Sequence, residues 1–291
     1  MASVIETVPA PSPSLPVDAL RRLREARAWI LDMDGVLYRG AEVLPGVKEL
    51  LDALTLRERP VMLATNNSMS TAEAYEHKLK AMGLDIPASA VITSALATRD
   101  YLLQTLPAGA GIYVIGMPAL REQLFAGTPF HPVQYGEEQP AAVVIGLDLE
   151  FTYAKLKAAH EAIQRGALFI ATNADSTLPT EGGLVPGAGS IVAALAAASG
   201  QDPVVIGKPE TPMLEMAMIR MGAQPEETVM LGDRLDTDIL AGERAGMPTV
   251  LVLTGVSTRE DLASAEALPD VVVSDLPSLV EAITAEPSRH D

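Results

Sequence analysis

The run Asp32-Met33-Asp34-Gly35-Val36 sets two carboxylates two positions apart, directly after the apolar stretch Trp29-Ile30-Leu31. A carboxylate at a strand end, such as Asp32, can attack phosphorus and form an acyl phosphate. Asp34 can protonate the leaving-group oxygen and then deprotonate the water that cleaves the intermediate, a dual task for a nearby acid that does not itself attack. A carboxylate and a phosphate repel each other, so a divalent cation has to bridge them. Gly35 permits a tight turn and close approach of backbone to ligand. Read alone, the same Asp-x-Asp-Gly pattern also suits a surface turn.

Three further groups could complete such chemistry. Gly232-Asp233 supplies a second strand-end acid. Mg²⁺ prefers hard oxygen ligands and keeps several waters, so the side chains of Asp32 and Asp233 and the carbonyl of Asp34 would suffice. Asp238, near the start of the next helix, either holds a metal-bound water or orients Lys208; a first-turn acid favoured by the helix dipole is the alternative. Thr65-Asn66-Asn67 offers a hydroxyl and successive N–H groups as a neutral anion nest, unless it is an ordinary polar turn. Lys208, after Ile206-Gly207, can neutralise a phosphoryl group as a compact point charge. Arg234 and Asp236 read as solvated loop residues.

These residues need elements that present them together. Short apolar runs end at each: Trp29–Leu31, Val61–Ala64, Val204–Ile206 and Val229–Leu231. Further runs lie at 91–93, 112–115, 142–145, 168–171, 249–253 and 271–273. Helical patterns at 152–165, 190–199, 211–221, 237–245 and 276–284 alternate with them, and a helix starts at about Ser94. Ser70-Thr-Ala-Glu73 reads as a capping box opening a helix toward Gly83. Strand–helix alternation with continuous apolar strands predicts an α/β fold of parallel sheets covered on both faces. Ligands bind beyond the carboxyl ends of such strands. An internal echo, Leu168-Phe-Ile-Ala-Thr-Asn-Ala174, repeats the Thr65-Asn66 pattern, but it precedes a Gly/Pro-rich loop at 181–189. The first copy is favoured because it lies one strand–helix unit after Asp32.

Composition narrows the partners. The 291 residues carry a formal charge of −17. Such an acidic excess repels nucleic-acid backbones and anionic membranes, and 4% aromatics argues against a base-stacking platform. The absence of cysteine excludes disulfides, thiolate nucleophiles and Cys-based zinc sites. No His pair has metal-ligand spacing, and His160, beside Ala158-Ala159, reads as packed. No apolar run approaches the roughly 18–20 residues that span a bilayer. Residues 1–16, rich in Pro and Ser, read as a flexible tail without signal-peptide features, and a cytoplasmic location is expected.

Taken in order, Leu31-Asp-Met-Asp-Gly-Val-Leu37, Ala64-Thr-Asn-Asn-Ser68, Gly207-Lys-Pro209 and Gly232-Asp-Arg-Leu-Asp-Thr-Asp-Ile239 resemble the four motifs of the haloacid-dehalogenase superfamily of phosphatases. The resemblance covers about Ala28 to Leu279. The long interval before Lys208, with Phe169–Asp175 and Pro186–Ser190, looks like the inserted α/β cap of the subclass IIA group, which includes NagD-like phosphatases, 4-nitrophenylphosphatases and phosphoglycolate phosphatases.

The resemblance implies a Rossmann-like doubly wound core over 17–104 and 204–291, a mobile α/β cap over 105–203, Mg²⁺ as cofactor and a small phosphorylated metabolite as substrate. It implies Asp32 as nucleophile and metal ligand, Asp34 as acid/base and carbonyl ligand, and Asp233 as metal ligand. Thr65, Asn66, Asn67 and Lys208 would face phosphate, with Asp238 behind them. Asn173, Asp175 and Ser176 are candidate substrate contacts in the cap, through which a homodimer is also plausible. A phosphotransferase or phosphomutase would share the same intermediate. A phosphoacceptor or ligand-binding regulator would need neither Asp34 nor the cap.

Overall fold

Six parallel strands form the first sheet of the computed structural model, which describes residues 17–180 and 182–285. The tail expected at 1–16 lies outside the described residues. Across the sheet the order is Val271–Val273, Thr249–Val252, Thr228–Gly232, Ala28–Leu31, Val61–Thr65 and Val91–Thr93. Every residue of Ala28–Leu31 and Thr228–Gly232 is buried. Alternate strand residues face opposite sides, so both faces are covered, and this is why the strands are apolar throughout. Helices Val17–Glu25, Val47–Thr55 and Leu276–Thr284 pack together, as do Ser94–Thr105 and Pro212–Met221. The chain leaves Ala28–Leu31 toward one edge and later returns to fill the other, which makes the sheet doubly wound. The switch point lies at the end of Ala28–Leu31, where a crevice opens.

Between those halves runs a second parallel sheet, ordered Val204–Val205, Leu168–Ala171, Ala142–Ile145, Gly111–Ile115 and His131–Pro132. Its residues alternate between two cores. Ile112, Val114, Val144 and Ile170 join the large core of the first sheet. Ile115, Val143, Ile145 and Phe169 pack instead under Ile191 and Leu195 of helix Ala188–Ser199. The period-two division shows a sheet with one face on each core.

Several local expectations need correction. Val204–Val205 pairs with Ile170–Ala171, so the second sheet runs past residue 203 and Lys208 follows one of its edge strands. Part of the loop expected at 181–189 is strand Gly183–Pro186, paired antiparallel with Thr177–Thr180; Leu184 and Val185 continue a ladder that the glycines concealed. The cap of helix Ala72–Ala81 is Thr71, whose hydroxyl accepts the Ala74 N–H, so the capping frame is one residue later than Ser70. The helix expected at 237–245 opens with a wide π-type turn over Leu235–Ile239, in which the Ile239 N–H reaches the Arg234 carbonyl. Helices Val17–Glu25, Val47–Thr55 and Pro118–Phe125 were not anticipated.

Candidate active site

Asp32 leaves the central strand with its N–H still held by the Leu231 carbonyl at 2.9 Å. In the extended continuation Met33 turns into the core and is fully buried, while Asp32 and Asp34 both line the crevice. The i, i+2 spacing therefore puts two carboxylates on one side of the backbone. Gly35 follows with φ 82°, a left-handed conformation that glycine adopts without strain. A side chain there would also meet the Asp233 carboxylate, with Oδ2 2.5 Å from the Cβ position. The turn is closed by the Gly35 N–H on the Tyr38 carbonyl at 2.9 Å.

Lys208 brings the pieces together. Its ammonium donates to Asp32 Oδ1 at 2.6 Å, to Asp238 Oδ1 at 2.6 Å and to the Ala64 carbonyl at 3.2 Å. Its side chain is only 3% exposed, so this is a buried ion triad. Asp238 is equally buried, and its Oδ2 accepts the Arg234 N–H at 3.1 Å. Asp238 thus holds both the Arg234 N–H at the start of the wide turn and the Lys208 ammonium.

Oxygens of Asp32, Asp233 and Asp238 lie within 4.8 Å of one another. Asp233 Oδ2 accepts the Val256 N–H at 2.7 Å, but its Oδ1 is buried without a partner. An orphaned buried carboxylate oxygen beside further carboxylates offers the hard oxygen donors that a divalent cation prefers. Burial pushes the Asp32 carboxyl up to about 8; Lys208 opposes the shift, while Asp238 and Asp233 reinforce it. Burial, followed by Asp238, pushes Asp233 up to about 6. Asp34 faces the open cleft, yet its walls still raise its pKa by desolvation, against Lys78 and Tyr38.

Thr65, Asn66 and Asn67 cross the end of the neighbouring strand. Thr65 Oγ1 accepts the Asn67 N–H at 3.2 Å, and Asn67 Oδ1 accepts the Met69 N–H at 2.7 Å. Asn66 turns toward the second sheet. Its amide donates to the Lys208 carbonyl at 2.8 Å and to the two Asp175 oxygens at 3.4 and 3.3 Å. Its own carbonyl accepts from Asn173 Nδ2 at 2.9 Å and Ser94 Oγ at 2.7 Å. Asn66 thus joins the two halves, and Asn173 buttresses it. Asp175 also lines the cleft, whereas Ser176 is exposed and turns its carbonyl to Ser190; Thr177 and Leu178 reach the cleft from that hairpin. The whole cavity measures about 580 Å³, room for a small metabolite.

The geometry agrees with relatives of known family. The haloacid dehalogenase-like hydrolase model matches residues 29–126, and the related HAD-hydrolase-like model matches 205–279. An acid sugar phosphatase of Staphylococcus aureus is 39% identical over 254 residues, 87% of this chain and 96% of the relative. The chain belongs to the haloacid dehalogenase-like hydrolase family. Among solved structures, the 4-nitrophenylphosphatase of Thermotoga maritima superposes with a TM-score of 0.83 at 37% identity, covering 90% of this chain and 99% of the other. The glycerol phosphate phosphatase of Mycobacterium tuberculosis, in complex with magnesium, gives 0.80 at 36% identity, over 89% and 78%.

The family motifs do not include everything that lines the cleft. Helix Ala72–Ala81 contributes Tyr75 and Lys78. Burial pushes the Tyr75 hydroxyl up to about 12, with Thr65 and Asn67 opposing the shift. Lys78 lies over the Tyr38 ring. Their i, i+3 spacing on a helix next to the Thr65 loop was the available signal.

Proposed function

We propose that this chain is a Mg²⁺-dependent phosphatase that hydrolyses monoesters of small phosphorylated metabolites through a phospho-aspartate on Asp32. The observation that carries the reading is the convergence of Asp32, Lys208 and Asp233 Oδ1 at the switch point of the sheet. Asp32 attacks phosphorus with the carboxylate oxygen that Lys208 does not hold. Lys208 and the N–H groups of the Thr65–Asn67 loop receive the phosphoryl oxygens. Asp34, whose pKa desolvation raises, gives its proton to the leaving oxygen and then takes one from the attacking water. Asp32 and Asp233, with the Asp34 carbonyl, would hold the cation, which offsets the repulsion between carboxylate and phosphate when bound. Relatives named for sugar phosphate and glycerol phosphate support a polyol or sugar phosphate as substrate, and Asp175, which lines the cleft, would accept from a hydroxyl of such a molecule.

The test uses 4-nitrophenyl phosphate, whose phenol leaves without acid help. Wild-type protein turns it over with Mg²⁺ and stops with a chelator. Asp34→Asn still forms the acyl phosphate but loses the base for its hydrolysis, so steady-state kcat falls about 10²–10⁴-fold. Quenched samples then show one phosphate per chain by intact mass. An Asp34→Asn protein with wild-type turnover and no adduct would remove Asp34 from the mechanism.

Mg²⁺ binding is also expected to release protons. Asp32 and Asp233 start from an ordinary carboxyl value of 3.8 and are raised to about 8 and about 6. A carboxyl raised in the folded state favours folding below its unfolded pKa and loses that contribution as pH climbs through the folded value. The metal-free cluster therefore weakens between about pH 4 and 8, and a bound cation should offset more of that loss at the upper end. The rise in thermal midpoint on adding Mg²⁺ should be larger at pH 8 than at pH 6, and calorimetry in two buffers should register protons leaving. A Mg²⁺ shift that is flat over this range would contradict the assignment.

A further inference from the structure

Asp34 has to reach a leaving-group oxygen in one orientation, yet it stands exposed in the cleft. Among the described residues, the Tyr38 hydroxyl, 3.5 Å from Oδ2, is the side-chain donor that meets its carboxylate. Tyr38 is fully buried, and its backbone is fixed through the Asp34 bridge and the Gly35 N–H. The tilt of the ring then sets the position of the hydroxyl. The Lys78 ammonium sits 3.8 Å from the centroid of that ring. No carboxylate lies within ion-pair distance of Lys78 among the described residues. It differs here from the other cations of the cleft: Lys208 is engaged by Asp32 and Asp238, and Arg234 by Asp236.

Lys78 is well placed to act on that ring. It is half-buried on helix Ala72–Ala81, whose start is fixed by the Thr71 cap. One turn earlier, Tyr75 lines the cleft together with Thr65 and Asn67. One helix face therefore touches both the loop expected to hold phosphate and the residue that orients the acid. A cation over an aromatic face is attracted by the ring quadrupole, more so when water is partly excluded. The negative charge of Asp34 pulls the ammonium in the same direction.

We propose that Lys78 is a positioning residue for Asp34, acting through the Tyr38 ring, and that helix Ala72–Ala81 thereby registers the acid against the phosphate loop. The inference rests on the phosphatase reading. It predicts a particular defect. A misplaced acid hurts most where the leaving group needs its proton, and least where the phenol departs unaided.

The experiment measures kcat/KM of the Mg²⁺-loaded full-length protein across substituted phenyl phosphates, from 4-nitrophenyl phosphate to unsubstituted phenyl phosphate. Methionine keeps the length and helix propensity of Lys78. Lys78→Met should lose about tenfold on phenyl phosphate and about twofold or less on 4-nitrophenyl phosphate, steepening the leaving-group dependence. Lys78→Arg should restore the wild-type slope, because guanidinium also stacks on a tyrosine ring. In a Tyr38→Phe background, which keeps the ring but removes the hydroxyl, Lys78→Met should add no further steepening. An equal loss on every leaving group, a rise in KM alone, an arginine variant no better than methionine, or full additivity with Tyr38→Phe would each overturn the proposal. Failure of the phosphatase reading looks different: wild-type protein would then leave every phenyl phosphate intact.

Discussion

Asp32→Asn should lower Mg²⁺-dependent turnover by about 10⁴-fold or more, because the amide is neither a nucleophile nor an anionic cation ligand. The shape of the site should survive. Asparagine Oδ1 can still accept from Lys208 where Asp32 Oδ1 does so now, at 2.6 Å. The variant should also be no less stable than wild type in the absence of Mg²⁺. Burial pushes the Asp32 carboxyl up to about 8, so the folded chain pays a growing penalty for its charge as pH rises from about 4. The amide carries no such charge, so the stability advantage of the variant should widen toward pH 8. Chemical denaturation at pH 5 and pH 8, with turnover and intact mass on the same preparations, measures both effects. Residual turnover within about tenfold of wild type would dismiss Asp32 as nucleophile, since loss of a covalent nucleophile costs orders of magnitude more.

That opposition between activity and stability explains much of what the sequence made readable. Strand ends in a parallel sheet converge on one crevice, so Asp32, Thr65 and Asp233 could be placed from apolar runs alone. Their order along the chain carried more information than any single motif. Asp238 could not be decided in this way. An acid early in a helix is usually explained by the helix dipole, and only the wide turn at Leu235–Ile239 brings Asp238 back to Lys208. Lys208 itself was found for a reason the fold revises: it follows an edge strand of the second sheet, at the point where the chain re-enters the first.

Cross-sheet contacts were the least visible. The sequence offered the N–H groups of Thr65–Asn67 to phosphate but did not reveal that the Asn66 side-chain amide donates to Asp175 and to the Lys208 carbonyl. Such a contact depends on how two sheets meet, which periodicity does not encode. Tyr75 and Lys78 were overlooked for a related cause. Their i, i+3 spacing marks one helix face, but it does not tell a face that packs from one that serves a neighbouring loop until the loop is in place.

Lys208→Met should be the most damaging single change to the fold of the site. It removes the cation between Asp32 and Asp238 and leaves two buried carboxylates facing each other, with Asp233 close by. Breaking a buried ion pair by deleting one partner typically costs about 3–5 kcal/mol, and that loss is expected here at pH 8 without Mg²⁺. Catalysis should fall about 10²–10³-fold even when Mg²⁺ is present, since a donor to the phosphoryl oxygens is gone. The stability defect should shrink at pH 5. Without Lys208, which now lowers the Asp32 pKa, the Asp32 carboxyl is raised further, and its protonation relieves the repulsion. Raised carboxyls lose stability as pH rises, so the variant should have the steeper downward slope between pH 5 and 8. Adding Asp32→Asn to Lys208→Met should then recover part of the loss, because one of the stranded charges is removed, and the two substitutions will not be additive. Equilibrium denaturation of the two single variants and the double variant at both pH values tests this directly. Equal stability of Lys208→Met and wild type at pH 8 would mean that the triad is not held together by its charge.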